Sequence, residues 1–343
     1  MTGTGRANLR QLAEVLNLSV TTVSRALKDG PEVHPDTILR VKVAAEAVGY
    51  VPNLHGRALR TGSTKTLTAI LPLETRDYLA DIAKLPLIEG MTLAARDRGY
   101  SLTIFSATPE ESPHDNITKV LQSGAADGII ITRMLENDPR INFLKQRRVP
   151  FIAFGRSELA QDYAFIDIDN EKIAYEATLE LLARGCRSIA LQLLTREDQY
   201  SAMRLRGYSR ALGEYGVQFD PRFVGEEDFT IDASERWLQG LLSLPNAPTG
   251  LVSASELGLL GALSALRRQA RTIGRDFHII ARDNTRIARY LSVPIVAHSV
   301  DMVKVGRALV EGLVTQIEQP QAPLTREVIS AEIVKFEDVP IRR

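Results

Sequence analysis

From Thr64 onward the chain alternates short apolar runs with longer amphipathic segments, and this alternation limits the fold more than any other feature. The apolar runs are residues 67–71, 101–105, 128–132, 151–154, 189–193, 250–252 and 277–281. The amphipathic segments include residues 87–98, 117–122, 174–183, 204–215, 257–268 and 302–317. Strands that alternate with helices form parallel sheets with helices on both faces, so we predict an α/β fold for this region.

The region is too long for a single sheet to be the best prediction, so we divide it into two lobes. We place the crossovers near residues 160–165 and 289–297, and expect residues 328–336 to return as a strand. The predicted N-lobe comprises residues 64–160 and 291–323, and the C-lobe residues 161–290 and 324–343. Ligands of open α/β sheets bind at the carboxyl ends of strands, so two such lobes predict a cleft for a small molecule.

The first sixty residues follow a different pattern, that of two short helices around a tight turn. Leu12 and Ala13 recur at helical spacing with Leu9 and Leu16, and Val23 and Ala26 recur with Leu27 after the turn. Stripes this short must pack against each other. Ser19 stands where its side chain caps the second helix. A third helix is predicted to begin at Pro35 and to end at Gly49, with Ile38, Val41, Ala45 and Val48 on its buried face.

The outward face of the second predicted helix has the chemistry of a DNA-binding surface. It carries Val20, Thr21, Ser24, Arg25 and Lys28. Arginine bonds guanine through two N–H groups, and valine or threonine contacts a thymine methyl group. Residues 1–62 hold eight Lys/Arg against five Asp/Glu, although the whole chain has no net charge. A surface helix of a small bundle is the alternative interpretation of the same pattern.

Three sequence segments match the motifs of a known protein family. TVSRAL begins at Thr22, VGYVPN at Val48 and RAL at Arg57, in the order and spacing of the lactose-repressor (LacI) family of bacterial transcription regulators, which this chain resembles. The resemblance implies a helix-turn-helix headpiece over residues 1–51, a hinge helix and linker over 52–63, and an effector-binding core over 64–343.

The resemblance also implies roles for individual residues of the headpiece and hinge. Bases are contacted by Val20, Thr21 and Arg25, and phosphates by Ser19, Thr22, Ser24 and Thr37. The hinge residues in the minor groove are Asn53, Arg57, Ala58 and Leu59, with Leu59 as a wedge between bases. Gly56 departs from the family and costs about 1 kcal/mol of hinge-helix stability.

The core resembles the family's core, which is itself similar to periplasmic sugar-binding proteins. The matching segments are PFIAFGR from Pro150, DIDN from Asp167, RLRGY from Arg204, PTGLVSASELGLLGAL from Pro248 and IIARDN from Ile279. The resemblance implies an effector site formed by Arg156, Arg204, Phe229, Ser255 and Asp283. Departures from the family include Ser255-Glu256 in place of Asn-Asp, and Arg282 in place of an aromatic residue.

Other kinds of chemistry find little support in the sequence. Cys186 is the only cysteine and is interpreted as part of a helix-to-strand connection, and the five histidines stand singly, with His298 interpreted as a connector residue. No metal-binding or catalytic motif is present, so we expect neither an enzyme nor a cofactor. The N-terminus lacks an apolar signal segment and no run is long enough to cross a membrane, so we expect a cytoplasmic protein.

The sequence therefore predicts a homodimeric repressor of carbohydrate-utilisation genes. Its headpieces bind a near-palindromic DNA operator, and a mono- or disaccharide releases them. Residues 336–343 carry no leucine heptad, so a dimer is expected. A nucleoside or purine effector and dependence on a corepressor remain alternatives within the family. Outside the family, a receptor without DNA function would not need residues 9–59, and an enzyme would need a base or nucleophile that the sequence does not offer.

Overall fold

The computed structural model describes residues 8–50, 63–72, 83–107, 112–124, 126–158, 162–194, 198–226 and 230–336. The chain divides into two compact units, Met1–Thr64 and Lys65–Arg343. None of the helices in the described part of the chain has the length and apolarity that a membrane crossing requires.

The first unit is a bundle of three helices, α1 (Leu9–Leu16), α2 (Val20–Ala26) and α3 (Pro35–Ala47). Asn8 caps α1, and Asn17 ends it in the left-handed conformation with φ of 53°. The predicted stripes are confirmed, because Leu12, Ala13, Val23 and Ala26 are buried against Val41 and Ala45 of α3. Each large apolar side chain buried in this way contributes about 1.5–3 kcal/mol. Val48, which the helical period placed on the buried face, is exposed because α3 ends at Ala47.

The second unit contains two six-stranded sheets covered by helices. The first lobe contains β1 (Thr66–Pro72), α4 (Leu85–Asp97), β2 (Ser101–Ala107), α5 (Pro113–Gln122), β3 (Gly128–Ile131), α6 (Pro139–Gln146), β4 (Phe151–Phe154) and β5 (Ala164–Ile168). The second lobe contains α7 (Asn170–Ala183), β6 (Ile189–Leu193), α8 (Gln199–Glu214), β7 (Val224–Glu226), α9 (Ile231–Leu242), β8 (Gly250–Val252), α10 (Glu256–Arg268), β9 (His278–Arg282) and β10 (Ile295–Ser299). The last elements are α11 (Met302–Glu318), β11 (Arg326–Ile329) and β12 (Glu332–Phe336).

The strand orders show how the chain passes between the lobes. The first sheet has the order β11-β5-β4-β3-β1-β2 and the second the order β12-β10-β9-β8-β6-β7. All neighbouring strands are parallel except β10 and β12. The chain therefore crosses after β5, after β10 and again between β11 and β12. The predicted α/β fold with two parallel sheets is confirmed.

The predicted lobe boundaries were wrong at three strands. β5, which the sequence placed in a crossover and in the C-lobe, pairs with β4 and β11 in the first sheet. β10 was assigned to the N-lobe but belongs to the second sheet, and β11 was assigned to the C-lobe but belongs to the first. Each is a short strand whose sequence shows its apolar pattern but not its hydrogen-bonding partner.

The first lobe is completed by α11, which returns from the second lobe and packs on α4 and on strands β3 to β5. The two helices approach at Gly90 and Gly306, where an added Cβ would lie 2.1 Å from the Val303 carbonyl oxygen and 2.3 Å from the Leu87 carbonyl oxygen respectively. Only glycine permits this contact. The core beneath these helices contains Leu67, Ile130 and other buried apolar residues of the sheet. This packing holds the carboxyl ends of β1, β3, β4 and β5 at one edge of the lobe.

Candidate functional site

The exposed face of α2 carries the side chains that the sequence assigned to DNA bases. Ser19 caps the helix, since its Oγ accepts a hydrogen bond from the Thr22 N–H at 3.0 Å. Val23 and Ala26 face the core, and the opposite face is exposed to solvent at Val20, Thr21, Arg25 and Lys28. The structure therefore brings the three predicted base-contacting residues onto one accessible helix face.

Arg25, one of the three predicted base-contacting residues, has a charged partner within the described residues. Its Nε lies 3.2 Å from a carboxylate oxygen of Glu32, and the Arg25 side chain remains 57% exposed. An exposed ion pair of this kind contributes less than about 1 kcal/mol, so it orients the guanidinium without preventing its release. Of the predicted phosphate contacts, Ser19 is exposed, whereas Thr22, Ser24 and Thr37 are partly buried.

The hinge residues Asn53, Arg57, Ala58 and Leu59 lie outside the described residues, and so does Phe229 of the predicted effector site. Their assigned roles stay predictions.

A cleft of about 230 Å³ lies within the second unit, where strands of both sheets end. The first lobe contributes Thr132 and Gly155 at strand ends, and the second lobe contributes Ala254 and Asn284. Apolar side chains cover much of the wall, namely Leu71, Leu87, Phe154, Ile168, Leu194, Met203, Leu257 and Met302. Charged and polar side chains stand among them at Lys84, Arg133, Arg156, Asp167, Asn170, Ser255, Glu256 and Arg282. A largely apolar cleft with a few convergent polar groups is the ordinary form of a small-molecule site.

Two of the predicted effector residues, Arg156 and Ser255, line this cleft. Arg156 donates from Nε to a carboxylate oxygen of Asp167 at 2.6 Å. Burial raises the pKa of Asp167, and the hydrogen bond from Arg156 acts in the opposite direction. Ser255 is the N-cap of α10, where its Oγ accepts from the Gly258 N–H at 3.1 Å.

Arg204 and Asp283 lie behind the cleft wall, and both side chains have no exposed surface. The Asp283 carboxylate accepts from the Ala288 N–H at 2.8 Å and from the Ile287 N–H at 3.1 Å. It also accepts from the Thr285 hydroxyl at 3.1 Å, so it holds the turn that follows β9. The prediction is corrected at this position, because the neighbouring residues Arg282 and Asn284 line the cleft and Asp283 does not.

Arg204 extends from α8 into the interior and has a single described partner. Its Nη2 donates to the Ser253 carbonyl oxygen at 3.1 Å, while Nε and Nη1 have no hydrogen-bond partner within the described residues. Burial and, to a smaller extent, the positive charge of Arg282 lower the pKa of Arg204 to about 10. Tyr200 and Met203, on the same helix, line the cleft in front of it.

Two family descriptions match the chain, one in each of its units. Residues 8–53 match "Bacterial regulatory proteins, lacI family" and residues 178–335 match "Periplasmic binding protein-like domain". The HTH-type transcriptional regulator AglR of Rhizobium meliloti (strain 1021) is 32% identical over 327 residues, which cover 93% of this chain and 91% of AglR. The chain belongs to the LacI family.

Solved structures of LacI-family regulators resemble the whole chain. A CelR–cellobiose complex is 25% identical with a TM-score of 0.73, covering 97% of this chain and 100% of that one. A lac repressor dimer bound to operator and the anti-inducer ONPF shares the fold, with 21% identity and a TM-score of 0.84, covering 97% of this chain and 99% of that one. The resemblance drawn from TVSRAL and the segments after it is thus confirmed, and the chain is a transcriptional regulator of the helix-turn-helix type.

Two arginines that line the cleft of this LacI-family protein, Arg133 and Arg282, were not in the effector set that the sequence predicted. Arg133, after β3, donates from Nε to Asp198 at 3.0 Å and so links the two lobes beside the cleft. Arg282 donates from Nη1 to the Asn170 side-chain oxygen at 3.0 Å. The alternation of strand side chains is the signal that could have found Arg282, since residues 282 and 283 must face opposite sides of the sheet end.

His298 of this LacI-family protein also differs from its prediction. It lies inside β10 instead of in a connection, and it is only 3% exposed. Its ring is approached by Arg204 from α8 and Arg282 from β9, and its Nε2 is 3.7 Å from a carboxylate oxygen of Glu176 on α7. Burial, together with the two arginine charges, lowers the pKa of His298 to about 4.

We expect the buried neutral His298 to make stability depend on pH. The unfolded chain takes up a proton at this residue below about pH 6.5, whereas the folded chain takes it up only near pH 4. The stabilising contribution is therefore present above pH 6.5 and lost as the pH falls toward 4. Urea unfolding of the wild type and of His298→Gln between pH 7.5 and pH 4.5 tests this. The wild type should lose more free energy of unfolding than the variant, and equal losses would contradict the assignment.

Proposed function

We propose that this protein is a homodimeric repressor of carbohydrate-utilisation genes, released from its DNA operator by a sugar. The observation that carries the proposal is the exposed face of α2 with Val20, Thr21 and Arg25, in a chain whose other unit contains a cleft of small-molecule size. The lac repressor, whose fold this chain shares, is a dimer bound to operator, and CelR is known in complex with cellobiose. Acting on chromosomal DNA places the protein in the cytoplasm, and the cleft serves binding and not catalysis.

For the DNA, we propose that the first unit inserts α2 into the major groove. Arg25 donates two N–H groups to a guanine, and Val20 and Thr21 contact the neighbouring bases. Ser19, Thr22, Ser24 and Thr37 hold phosphates through their hydroxyl groups, which fixes the position of the helix but carries no sequence information. Asn53, Arg57, Ala58 and Leu59 contact the minor groove as a hinge. The proposed division is therefore headpiece 1–51, hinge 52–63 and core 64–343.

For the effector, we propose that the ligand binds between Arg156 of the first lobe and Asn170, Ser255 and Arg282 of the second lobe. Arginine donates to vicinal hydroxyl groups, and carboxylates and amide oxygens accept from them, so this wall suits a polyhydroxylated molecule. We propose that Phe229 also packs against a sugar face and that the charge of Arg204 acts on the ligand from behind this wall. If the sugar binds more tightly to the state of the core that binds the operator less well, it must weaken operator binding. The size of the effect is set by the difference between its affinities for the two states.

A nucleoside or purine effector is a second candidate, which one observation favours. Phe154 from the first lobe and Tyr200 from the second both line the cleft, and aromatic rings suit the faces of a nucleobase. A corepressor, which strengthens operator binding instead of weakening it, is the remaining alternative for the sign of the response.

The proposal is tested with the full-length chain in two steps. Selection from random DNA should yield a near-palindromic site whose two halves match the symmetry of a dimer. A thermal-shift panel of mono- and disaccharides against nucleosides and nucleobases should then give a stabilising sugar, because a ligand stabilises by RT ln(1 + [L]/Kd). Adding that sugar should weaken binding to the selected site. If only nucleosides stabilise the protein, the effector is a nucleoside and not a sugar. If the stabilising ligand strengthens DNA binding, it is a corepressor. Failure to select any site would contradict the regulator function.

A further inference from the structure

Two arginines lie close together at the cleft of the second unit, Arg204 behind its wall and Arg282 on it, and neither forms an ion pair within the described residues. The Ser253 carbonyl oxygen accepts from Arg204 Nη2 at 3.1 Å and from the backbone N–H of Arg282 at 3.2 Å. The Arg282 guanidinium is partly exposed to the cleft and has one described hydrogen bond, from Nη1 to Asn170. In the described part of the chain, no aspartate or glutamate lies within ion-pair distance of either guanidinium.

The acidic side chains around the cleft are already engaged by other groups. Asp167 is paired with Arg156 at 2.6 Å, and Asp198 is paired with Arg133 at 3.0 Å. Asp283 is held by the N–H groups of its own turn.

Glu256, the remaining carboxylate of the cleft wall, attracts Arg282 electrostatically but is not within ion-pair distance of it. Its Oε1 accepts from the backbone N–H groups of Asn284 at 2.8 Å and Thr285 at 3.2 Å. Burial raises the pKa of Glu256, while its backbone hydrogen bonds and the charge of Arg282 act in the opposite direction. Within the described residues, Arg204 and Arg282 therefore have no direct ion pair, and only the more distant charges of Glu256 and Asp167 offset that of Arg282.

An uncompensated buried charge is costly, because the protein interior does not replace the water that solvated it. A neutral sugar would give hydrogen-bond acceptors to Arg282 but would leave both positive charges in place. An anionic group would accept two parallel hydrogen bonds from the guanidinium fork, and its charge would also act on Arg204 through the low-dielectric interior.

We propose that the effector of this cleft carries an anionic group, a carboxylate or a phosphate on a polyhydroxylated ligand, and that Arg282 binds that group. The inference rests on the proposed function of the cleft as an effector site. It narrows the ligand from sugars in general to acidic sugars. Arg282 is then the residue that determines specificity, since among the described guanidiniums that line the cleft it is the one without an ion pair.

The test compares acidic sugars with their neutral counterparts on the full-length protein. Glucuronate, galacturonate, gluconate and glucose 6-phosphate are measured by thermal shift and calorimetry against glucose, galactose and sorbitol, with inorganic phosphate and acetate as controls for the anion alone. We expect one acidic ligand to bind at least tenfold more tightly than its neutral counterpart, with an affinity that falls as salt rises. Comparing the three carboxylate ligands with glucose 6-phosphate shows whether the anionic group is a carboxylate or a phosphate.

Variants of Arg282 then test whether this residue binds the anionic group of the ligand. Arg282→Gln should weaken the acidic ligand by tenfold to a hundredfold or so and leave weak neutral binding unchanged. Arg282→Lys, which keeps the charge but not the fork, should recover part of the loss. Arg289→Gln is the matched control, because Arg289 is exposed and lies in the turn after the same strand.

The possible failures separate the inference from the function on which it rests. If a neutral sugar binds as tightly as every acidic ligand and releases the operator, the anionic group is wrong and the proposed function stands. If Arg282→Gln binds the acidic ligand as tightly as the wild type, the assignment to Arg282 is overturned. If no sugar, acidic or neutral, changes operator binding, both proposals fail.

Discussion

Arg25→Ala should weaken binding to the selected operator far more than binding to random DNA. Arginine is the side chain of the exposed α2 face that can bond a base edge through two N–H groups, and each such pair contributes about 1–3 kcal/mol of discrimination. The ion pair with Glu32 at 3.2 Å is exposed, so its loss costs the headpiece little stability. The expected loss of specificity is therefore roughly five- to 150-fold. Fluorescence anisotropy on the operator and on a scrambled duplex at one salt concentration measures it.

Lys28→Ala is the matched control just beyond the end of the same helix. Lys28 is exposed one residue beyond Leu27, the C-cap of α2, and it is placed to contact a phosphate and not a base. Its removal should weaken both duplexes to a similar extent and reduce the slope of log K against log salt by about one. If Arg25→Ala behaves as Lys28→Ala does, Arg25 is a phosphate contact and the base assignment is wrong.

The headpiece could be predicted almost residue by residue because its determinants are local. Apolar spacing of three and four residues identified Leu12, Ala13, Val23 and Ala26, and all four are buried. The cap at Ser19 follows from the residue type and its position before the helix. The errors occur where tertiary structure decides, as at Val48, which continues the helical period but lies beyond the last residue of α3.

The α/β fold of the two lobes could be predicted from the sequence, but the boundaries between the lobes could not. Apolar runs show that a segment is a buried strand, but a strand of four or five residues does not show which strand it pairs with. Residues 164–168 look like a crossover in the sequence, whereas they form β5 with hydrogen-bonded neighbours on both sides. β11 and β12 are separated by two residues and belong to different sheets. These pairings depend on contacts between distant parts of the chain.

The residues of the cleft could also be predicted only in part from the local sequence pattern. The segments that follow strands were correctly expected to line it, as Arg156 and Ser255 do. Which of two adjacent residues faces the ligand depends on the pleat at the strand end, and there Arg282 faces the cleft while Asp283 caps a turn. The charges of the site follow from this difference, because a cation on the cleft wall replaces the expected carboxylate.

Arg204→Met should make the ligand-free protein more stable and at the same time remove its response to the effector. Methionine fills much of the volume of the arginine side chain without its charge, and replacing a buried ion by an apolar side chain often stabilises a protein by about 1–4 kcal/mol. No acceptor is left unpaired, since the Ser253 carbonyl oxygen keeps its hydrogen bond from the Arg282 N–H at 3.2 Å. Removing one of two adjacent positive charges also relieves their repulsion. The melting temperature should therefore rise by a few degrees.

The effector response of Arg204→Met should be lost, because the buried charge that contributes to ligand affinity is absent. Ligand-induced thermal shift and operator release are measured beside the melting temperature of the free protein. Arg210→Met is the matched control, since Arg210 lies on the same helix with an exposed side chain paired to Glu171 at 2.8 Å. The control should change neither property by much. A large destabilisation of Arg204→Met would show that Arg204 is a structural residue, and an intact effector response would show that its charge does not act on the ligand. If Arg204→Met raises the melting temperature and removes the effector response, the charge of Arg204 destabilises the free protein and serves ligand binding.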